Sequence, residues 1–460
     1  MRAIHDGHAR DSIPARIAGG FRGGPVKQGR IVNAVSAGRP DAGSGVGFLR
    51  RKTAWIGLGL LLASALFFGA FPPLLAWRMG QLGGSSPPPL NAQAQSLHAK
   101  LLVVDLHAAT LMWSRDLLEQ GKGGHLDLPR LTDGNVALQV FSAASRLSWR
   151  GAAHGRRDSP VGGPAYDLMT PLAIAQLWPP RTWASDLQRV LYQADELRQL
   201  VRRAGSRLVN VRSQADIDRL LLARSQAEAN GLSRPVGVML SVDGPDALGS
   251  RLENLDALFD AGFRMAVPPS VPGTNRGRQL GPGMAAASEE SPRQVVNDTV
   301  GNTPIARQWL RRMEEKGMVV DVAHASAPTL QMVLDNATRP VVASHTGLRG
   351  TCDNPRNLTD AEARGIAATG GVIGIGFWRD AVCGLSVDAI VNAIRHAVRL
   401  VGVDHVALGS NFDGGSPTPI DAAGLAHLTH GLTAAGFSDE DIAKLSGGNA
   451  LRVFRSVLPP

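Results

Sequence analysis

The stretch GMVVDVAHASAPTLQMVLDNATRPVVASH, residues 317–345, decides the fold. It opens and closes on a short apolar run, and each run ends on a histidine, His324 and His345. Apolar runs of this length, bounded by turn residues, read as strands buried on both faces, as in parallel sheets covered by helices. Six more runs of the same kind lie along the chain: LLVVDLH (101–107), NVALQVFS (135–142), PVGVMLSVDG (235–244), FRMAVPP (263–269), GGVIGIGFW (370–378) and HVALGSNFDG (405–414). Helical patterns separate them, among them TWASDLQRVLYQADELRQLVRRAG (182–205), RLENLDALFDAGF (251–263) and PIARQWLRRMEEKG (304–317). Eight strands joined by helical crossovers predict an α/β fold, a closed (β/α)8 barrel, with an open doubly wound sheet as the alternative.

Catalytic groups of such barrels stand at the C-terminal ends of the strands. The chain puts its polar residues there. His107 ends LLVVDLH, Asp243 ends GVMLSVD, His324 and His345 end their runs, and Asn411 and Asp413 follow HVALGS. A single histidine after an apolar run reads as a packed core residue. Three at one structural level, with a carboxylate at a fourth, predict the imidazole and carboxylate donors that zinc takes. Asp105 and Asp321 precede two of these histidines inside strands, where a hydrogen-bonded supporting role is expected. His125 reads as a loop residue, and Glu314 with Glu315 as a solvated helix face.

The segments DLHAATLMWSRDLL, GHLDLPRL, VVDVAHAS, VVASHTGLRGTCDNPRNLTD, ALGSNFDG and GGNALRVF together resemble the membrane (renal-type) dipeptidase family, zinc peptidases of the amidohydrolase group. The resemblance runs over about 97–456. It implies a pair of zinc ions bridged by a carboxylate, hydrolysis of the peptide bond of a dipeptide, and a homodimer. His324 and His345 match the ligands of the second zinc. Arg356, in the PRN segment, matches the arginine that holds the substrate carboxylate, a task suited to a guanidinium with two parallel N–H donors.

The chain departs from that pattern at four places. The HxD of the first strand reads His107-Ala108-Ala109, so one carboxylate ligand is a methyl group. The bridging EG pair reads Asp243-Gly244, one methylene shorter. The histidine that contacts substrate is replaced near Ser270, and the aspartate of GSDFDG is Asn411, an amide that is no general base near neutral pH. Asp413 lies beyond Phe412, and the period of two along a strand turns its side chain elsewhere. The expectation is a weakened first metal position and a second one, with Asp243, His324 and His345, holding one zinc or none. A metallodipeptidase is the first reading of function, and a catalytically impaired homologue acting as a binding or scaffold protein the second. Deaminases and lactonases of the group carry HxH on the first strand, which His107-Ala108-Ala109 lacks.

The formal net charge of +9 does not point to nucleic acid. Residues 1–52 carry ten Lys/Arg against three Asp, so nearly all the excess sits in this basic tail, and no basic stripe interleaved with aromatics follows it. The tail reads as disordered. Residues 53–77, TAWIGLGLLLASALFFGAFPPLLAW, have no charge and are long enough to span a bilayer; a signal peptide is the competing reading. Arg50-Arg51-Lys52 places the N-terminus in the cytoplasm and the rest in the periplasm or exterior, on the inner membrane. Residues 78–95 read as a Gly/Ser/Pro linker and 96–460 as the barrel domain. Cys352 and Cys383 are open to either pairing or two buried thiols.

Overall fold

The computed structural model describes residues 43–149, 166–244, 246–249, 251–269 and 304–460. Ser270 and the long loop 273–294 fall outside them, as does the tail before residue 43. The chain divides into two units, Met1–Gly59 and Leu60–Pro460. Of the first, Gly43–Gly59 is helical.

The second unit is built on parallel strands. In chain order they are β1 (Val103–Ala108), β2 (Val136–Ala144), β5 (Leu208–Asn210), β6 (Val236–Asp243), β7 (Phe263–Ala266), β8 (Val319–Val320), β9 (Val342–Thr346), β10 (Val372–Ile375) and β11 (Val406–Leu408). A two-stranded antiparallel ribbon, β3 (Ser148–Trp149) with β4 (Tyr166–Asp167), stands apart. The sheet runs β8-β7-β6-β2-β1-β11-β10-β9. A parallel bridge from Asp321 to Val342 brings the last strand back to the first, so the sheet curls into a TIM-like barrel. All eight apolar runs of the sequence are its staves. The extra strand, β5, pairs with the N-terminal half of β6 while β7 pairs with its C-terminal half.

Two apolar layers hold the barrel. Val136, Val238, Phe263, Ile373 and Leu408 pack outward against helix residues such as Leu197, Leu255, Ile366 and Ile390. Near the strand starts, Val104, Val342 and Val372 meet Phe454 and Val457 of the C-terminal helix. Apolar packing therefore fills the N-terminal end, and polar side chains are left to the other. Glu314 belongs to the packing too. It is 7% exposed and accepts hydrogen bonds from Thr338 N–H, Thr338 Oγ1 and Arg339 N–H, which corrects its reading as a solvated group.

Helix α1 (Gly43–Ala65) passes through a π turn at Leu66–Ala70 into α2 (Phe71–Met79), whose Pro72 and Pro73 lack the N–H groups of a regular ladder. Residues 52–79 form the one described helix long and apolar enough to cross a membrane, by length and composition. The glycine-rich segment after it, read above as linker, is laid against the barrel. Gly83 N–H donates to Thr418 O at 3.0 Å, and His125 Nε2–H donates to Gln81 O at 3.0 Å. Gly84 has φ +84° and lies so close to Leu385 O that a Cβ would stand 1.7 Å from it. Helix α3 (Ala92–Lys100) follows, capped by Asn91 Oδ1 accepting from Ala94 N–H.

Cys352 and Cys383 are paired. The bridge closes a loop with a sequence separation of 31, and it ties the segment carrying Arg356 to the end of the short helix Arg379–Val382 that follows β10. Closing a loop of that length is worth about 3–4 kcal/mol, mostly through the unfolded chain. Reduction with dithiothreitol is expected to lower the urea midpoint of the full chain accordingly. An unchanged midpoint would show that the bridge contributes nothing to stability.

Candidate metal centre

β1, β6, β8 and β9 deliver four side chains to one point at the C-terminal mouth. His107 is the fifth residue of β1, Asp243 the last of β6, His324 follows β8, and His345 lies in β9. His324 Nε2 is 2.9 Å from Asp243 Oδ1, and the Nε2 atoms of His324 and His345 face each other at 3.0 Å. His107 Nε2 is 3.9 Å from Asp243 Oδ2. One donor atom each from His107, Asp243 and His345 lies within 4.8 Å of the others.

The environment fixes which atoms are free to bind. Ser344 Oγ donates to Asp321 Oδ2 at 2.6 Å, so toward His345 Nδ1, at 2.8 Å, it accepts. That puts the proton of His345 on Nδ1 and leaves the Nε2 lone pair pointing at the cluster. His107 Nδ1 is engaged by Ser142 Oγ at 2.9 Å, while its Nε2 is buried with no hydrogen-bond partner. Burial holds the His107 pKa down to about 4, opposed by Asp243 and reinforced by His324 and Arg356. Burial, then His107, His324 and Arg356, likewise hold His345 well below its ordinary value. Burial disfavours the Asp243 carboxylate, yet His324, His107 and Arg356 outweigh it and keep it ionised. His107 and His345 neutral beside an ionised Asp243 is the protonation state in which these groups ligate a metal.

These donors fit a metal ion. Ligands about 2.0–2.1 Å from a tetrahedral zinc are about 3.3 Å apart, and the separations above bracket that edge. The orphaned His107 Nε2 is the independent sign, since buried polar atoms are rarely left without a partner. The group within metal-binding reach is His107, Asp243 and His345, so His107 stands with two of the three expected ligands, and His324 Nε2 lies against both of those.

Around it the pocket is lined by Ala109, Met112, Ala144, Arg146, Asp246, Arg356, Trp378 and Asn411, among others. Arg356 is 3% exposed; its Nη2–H donates to His345 O at 2.7 Å and its Nη1–H to Thr346 Oγ1 at 3.2 Å. It lies over the Trp378 ring, 5.6 Å from the centroid. Asn411 reaches the pocket rim with φ +58° just past β11. Asp413 is turned away from the pocket. It accepts from Thr110 Oγ1 at 2.8 Å and His125 N–H at 2.7 Å and is paired with Arg115. His125, fully buried, accepts from Asp413 N–H through Nδ1 at 3.0 Å, so its part is to bolt the mouth together rather than to line a loop. Asp105, pushed up to about 6 by burial although Ser410 and Gln139 hydrogen-bond it, ties β1 to β11 through Ser410 N–H at 2.7 Å. The sequence reading missed Arg146, Asp246 and Trp378. Each stands just past a strand end, the one signal that could have marked them.

The profile of the membrane dipeptidase family, peptidase family M19, matches residues 91–458. A protein of the pqqA 5′ region of Klebsiella pneumoniae is 31% identical over 273 residues, which is 57% of this chain and 93% of that protein. Human dipeptidase 3 is 24% identical over 51% of this chain and 47% of its own length. Among solved structures, the probable dipeptidase PvdM of Pseudomonas aeruginosa superposes with a TM-score of 0.58 at 22% identity, over 79% of this chain and 97% of PvdM. A Rhodobacter sphaeroides metallopeptidase holding a phosphinate mimic of the dipeptide L-Ala-D-Ala gives 0.57 at 20%, over 78% and 99%. With the family match spanning most of the barrel and the fold agreeing, the chain belongs to the membrane dipeptidase family, the M19 metallopeptidases.

Proposed function

We propose that the chain is a membrane-anchored dipeptidase working with a single zinc ion, held by His107, Asp243, His324 and His345. The observation that carries this reading is the convergence of three imidazoles and one carboxylate beside Arg356 in one pocket. Zinc, when bound, would supply Lewis acidity toward a peptide carbonyl, which requires a coordination position beyond the four protein donors. The protein's own groups supply position. Arg356 offers its guanidinium to the C-terminal carboxylate of the substrate, its plane set by Trp378 and the His345 carbonyl. Asp246, paired with Arg146 at 3.6 Å, is the remaining carboxylate of the pocket lining and suits an α-ammonium group. A zwitterion the size of a dipeptide meets opposite charges at its two ends. The helix of residues 52–79, uncharged over 53–77 and preceded by Arg50-Arg51-Lys52, supports an anchor with a cytoplasmic N-terminus.

A second reading has its own support. Asn411 occupies the rim where an acidic group would accept a proton, and an amide does not. On that reading the pocket binds a dipeptide without turning it over.

Zinc content of the purified full chain, measured beside hydrolysis of L,L- and L,D-dipeptides, separates the readings. About one zinc per chain, with hydrolysis abolished by chelation and restored by zinc, is the expected result. Zinc without turnover favours the binding protein, and no zinc at all overturns the centre. Arg356→Ala is expected to retain zinc while raising KM for free dipeptides. Loss of a buried charge partner costs about 2–5 kcal/mol, or roughly 30-fold to a few thousand-fold. An amidated dipeptide should show no such change; an equal rise for both would remove Arg356 from the carboxylate site.

A further inference from the structure

Helix α2 does not merely precede the barrel. Leu75 and Met79 are buried in an apolar cluster with Ala109, Met112, Ala144 and Leu147, which line the pocket, and with Met169, Leu172, Ala173 and Trp178. The last four belong to the crossover after β2, where helix α5 (Met169–Ala175) and a 3-10 turn at Pro180–Thr182 lie on the mouth side of the barrel. Beyond α2, the chain is clamped by Gly83 and Gln81 as described. Hence the helix end, α5 and the pocket wall share one rigid packing unit.

The outer face of this unit is apolar and bare. Within Leu60–Trp77, Leu61, Leu66, Leu74 and Trp77 are all more than half exposed. On the segment that follows the helix packed against α2, Leu177 is 75% exposed, held at φ +57°, and Trp183 is 38% exposed with its Nε1–H donating to Trp178 O at 3.0 Å. From Leu168 to Trp183 the only charged residue is Arg181, at the far end of the segment. A leucine in a left-handed backbone, pointed at solvent next to an apolar helix of spanning length, is poorly explained by water as its neighbour.

Resting on the anchor reading above, we infer that residues 168–183 form a second, interfacial contact with the same bilayer, so that the pocket mouth is held at the membrane surface. A helix rises 1.5 Å per residue, so Met79, buried at the pocket wall, lies only about 3 Å along the axis from Trp77. A tryptophan there sits at headgroup level. Leu177 and Trp183 then enter the headgroup–acyl boundary, as the apolar faces of monotopic elements do. The substrates of such a mouth are free dipeptides released at the bilayer surface.

The test uses the full chain in phosphatidylglycerol/phosphatidylethanolamine vesicles, with single nitroxide labels at Leu177→Cys, Trp183→Cys and, as control, Leu222→Cys on the outer helix Gln214–Ala229. Collision with lipid-dissolved oxygen is compared with collision with a water-soluble nickel chelate, and retention in the pellet after carbonate is scored separately. Retention with oxygen favoured several-fold at 177 and 183, and nickel at 222, is the expected result. Retention with 177 and 183 reached by nickel, or shielded from both quenchers by a second copy of the chain, overturns this inference and leaves the anchor standing. Extraction by carbonate overturns both.

Discussion

Asp243→Asn empties the metal centre: zinc retained after dialysis is expected to fall from about one ion per chain to a small fraction of that, with affinity down roughly 100-fold or more. Asp243 is the one carboxylate within reach of His107, His324 and His345 among the described residues. Three neutral imidazoles leave a dication's charge uncompensated in a buried pocket, and the amide cannot supply the missing charge. The substitution should not unfold the chain. It replaces a partly buried carboxylate with an amide of the same shape that can still hydrogen-bond His324. Elemental analysis beside circular dichroism therefore isolates the effect. A folded variant that keeps its zinc at the original affinity would show that imidazoles alone hold the ion.

The staves of the barrel were legible because doubly buried strands are near-continuous apolar runs, and LLVVDLH or PVVASH can be little else. β5 was not, since Leu208–Asn210 is only three residues with two of them half-buried, and it exists as a strand only because the first half of β6 offers it an edge. The site divides in the same way. Which residues reach the mouth follows from strand ends, and Asp105 and Asp321 take the supporting bonds their positions suggest. That His107 comes within reach of Asp243 and His345 depends on distances across the barrel, which no local pattern encodes. The docked helix end was equally hidden. A run of apolar residues announces a membrane span, but nothing in FPPLLAWRM says that Leu75 and Met79 turn inward against Met112 and Trp178.

That hidden packing explains what stands in place of the missing aspartate, and it sets up the second large effect. Ala109 is 1% exposed, and its neighbours in the cluster are Met112, Ala144, Leu75 and Met79. The methyl group is part of an apolar wall contributed partly by helix α2. Ala109→Asp combined with Asn411→Asp is expected to destabilise the metal-free chain, because an unpaired carboxylate buried there costs several kcal/mol. At roughly 1–2 °C per kcal/mol for a domain of this size, the melting temperature should drop by about 3–7 °C. Zinc should reverse most of the drop, since the two new carboxylates offset a second dication beside Asp243 and His107. Zinc content would rise from about one to about two per chain. A drop that zinc does not reverse, with content unchanged, would mean that the shorter Asp243 side chain cannot bridge two ions and that the departure from a two-metal site extends beyond these two positions. No drop in the metal-free chain would mean that the Ala109 wall is wet, and the packing argument for its methyl group would fail.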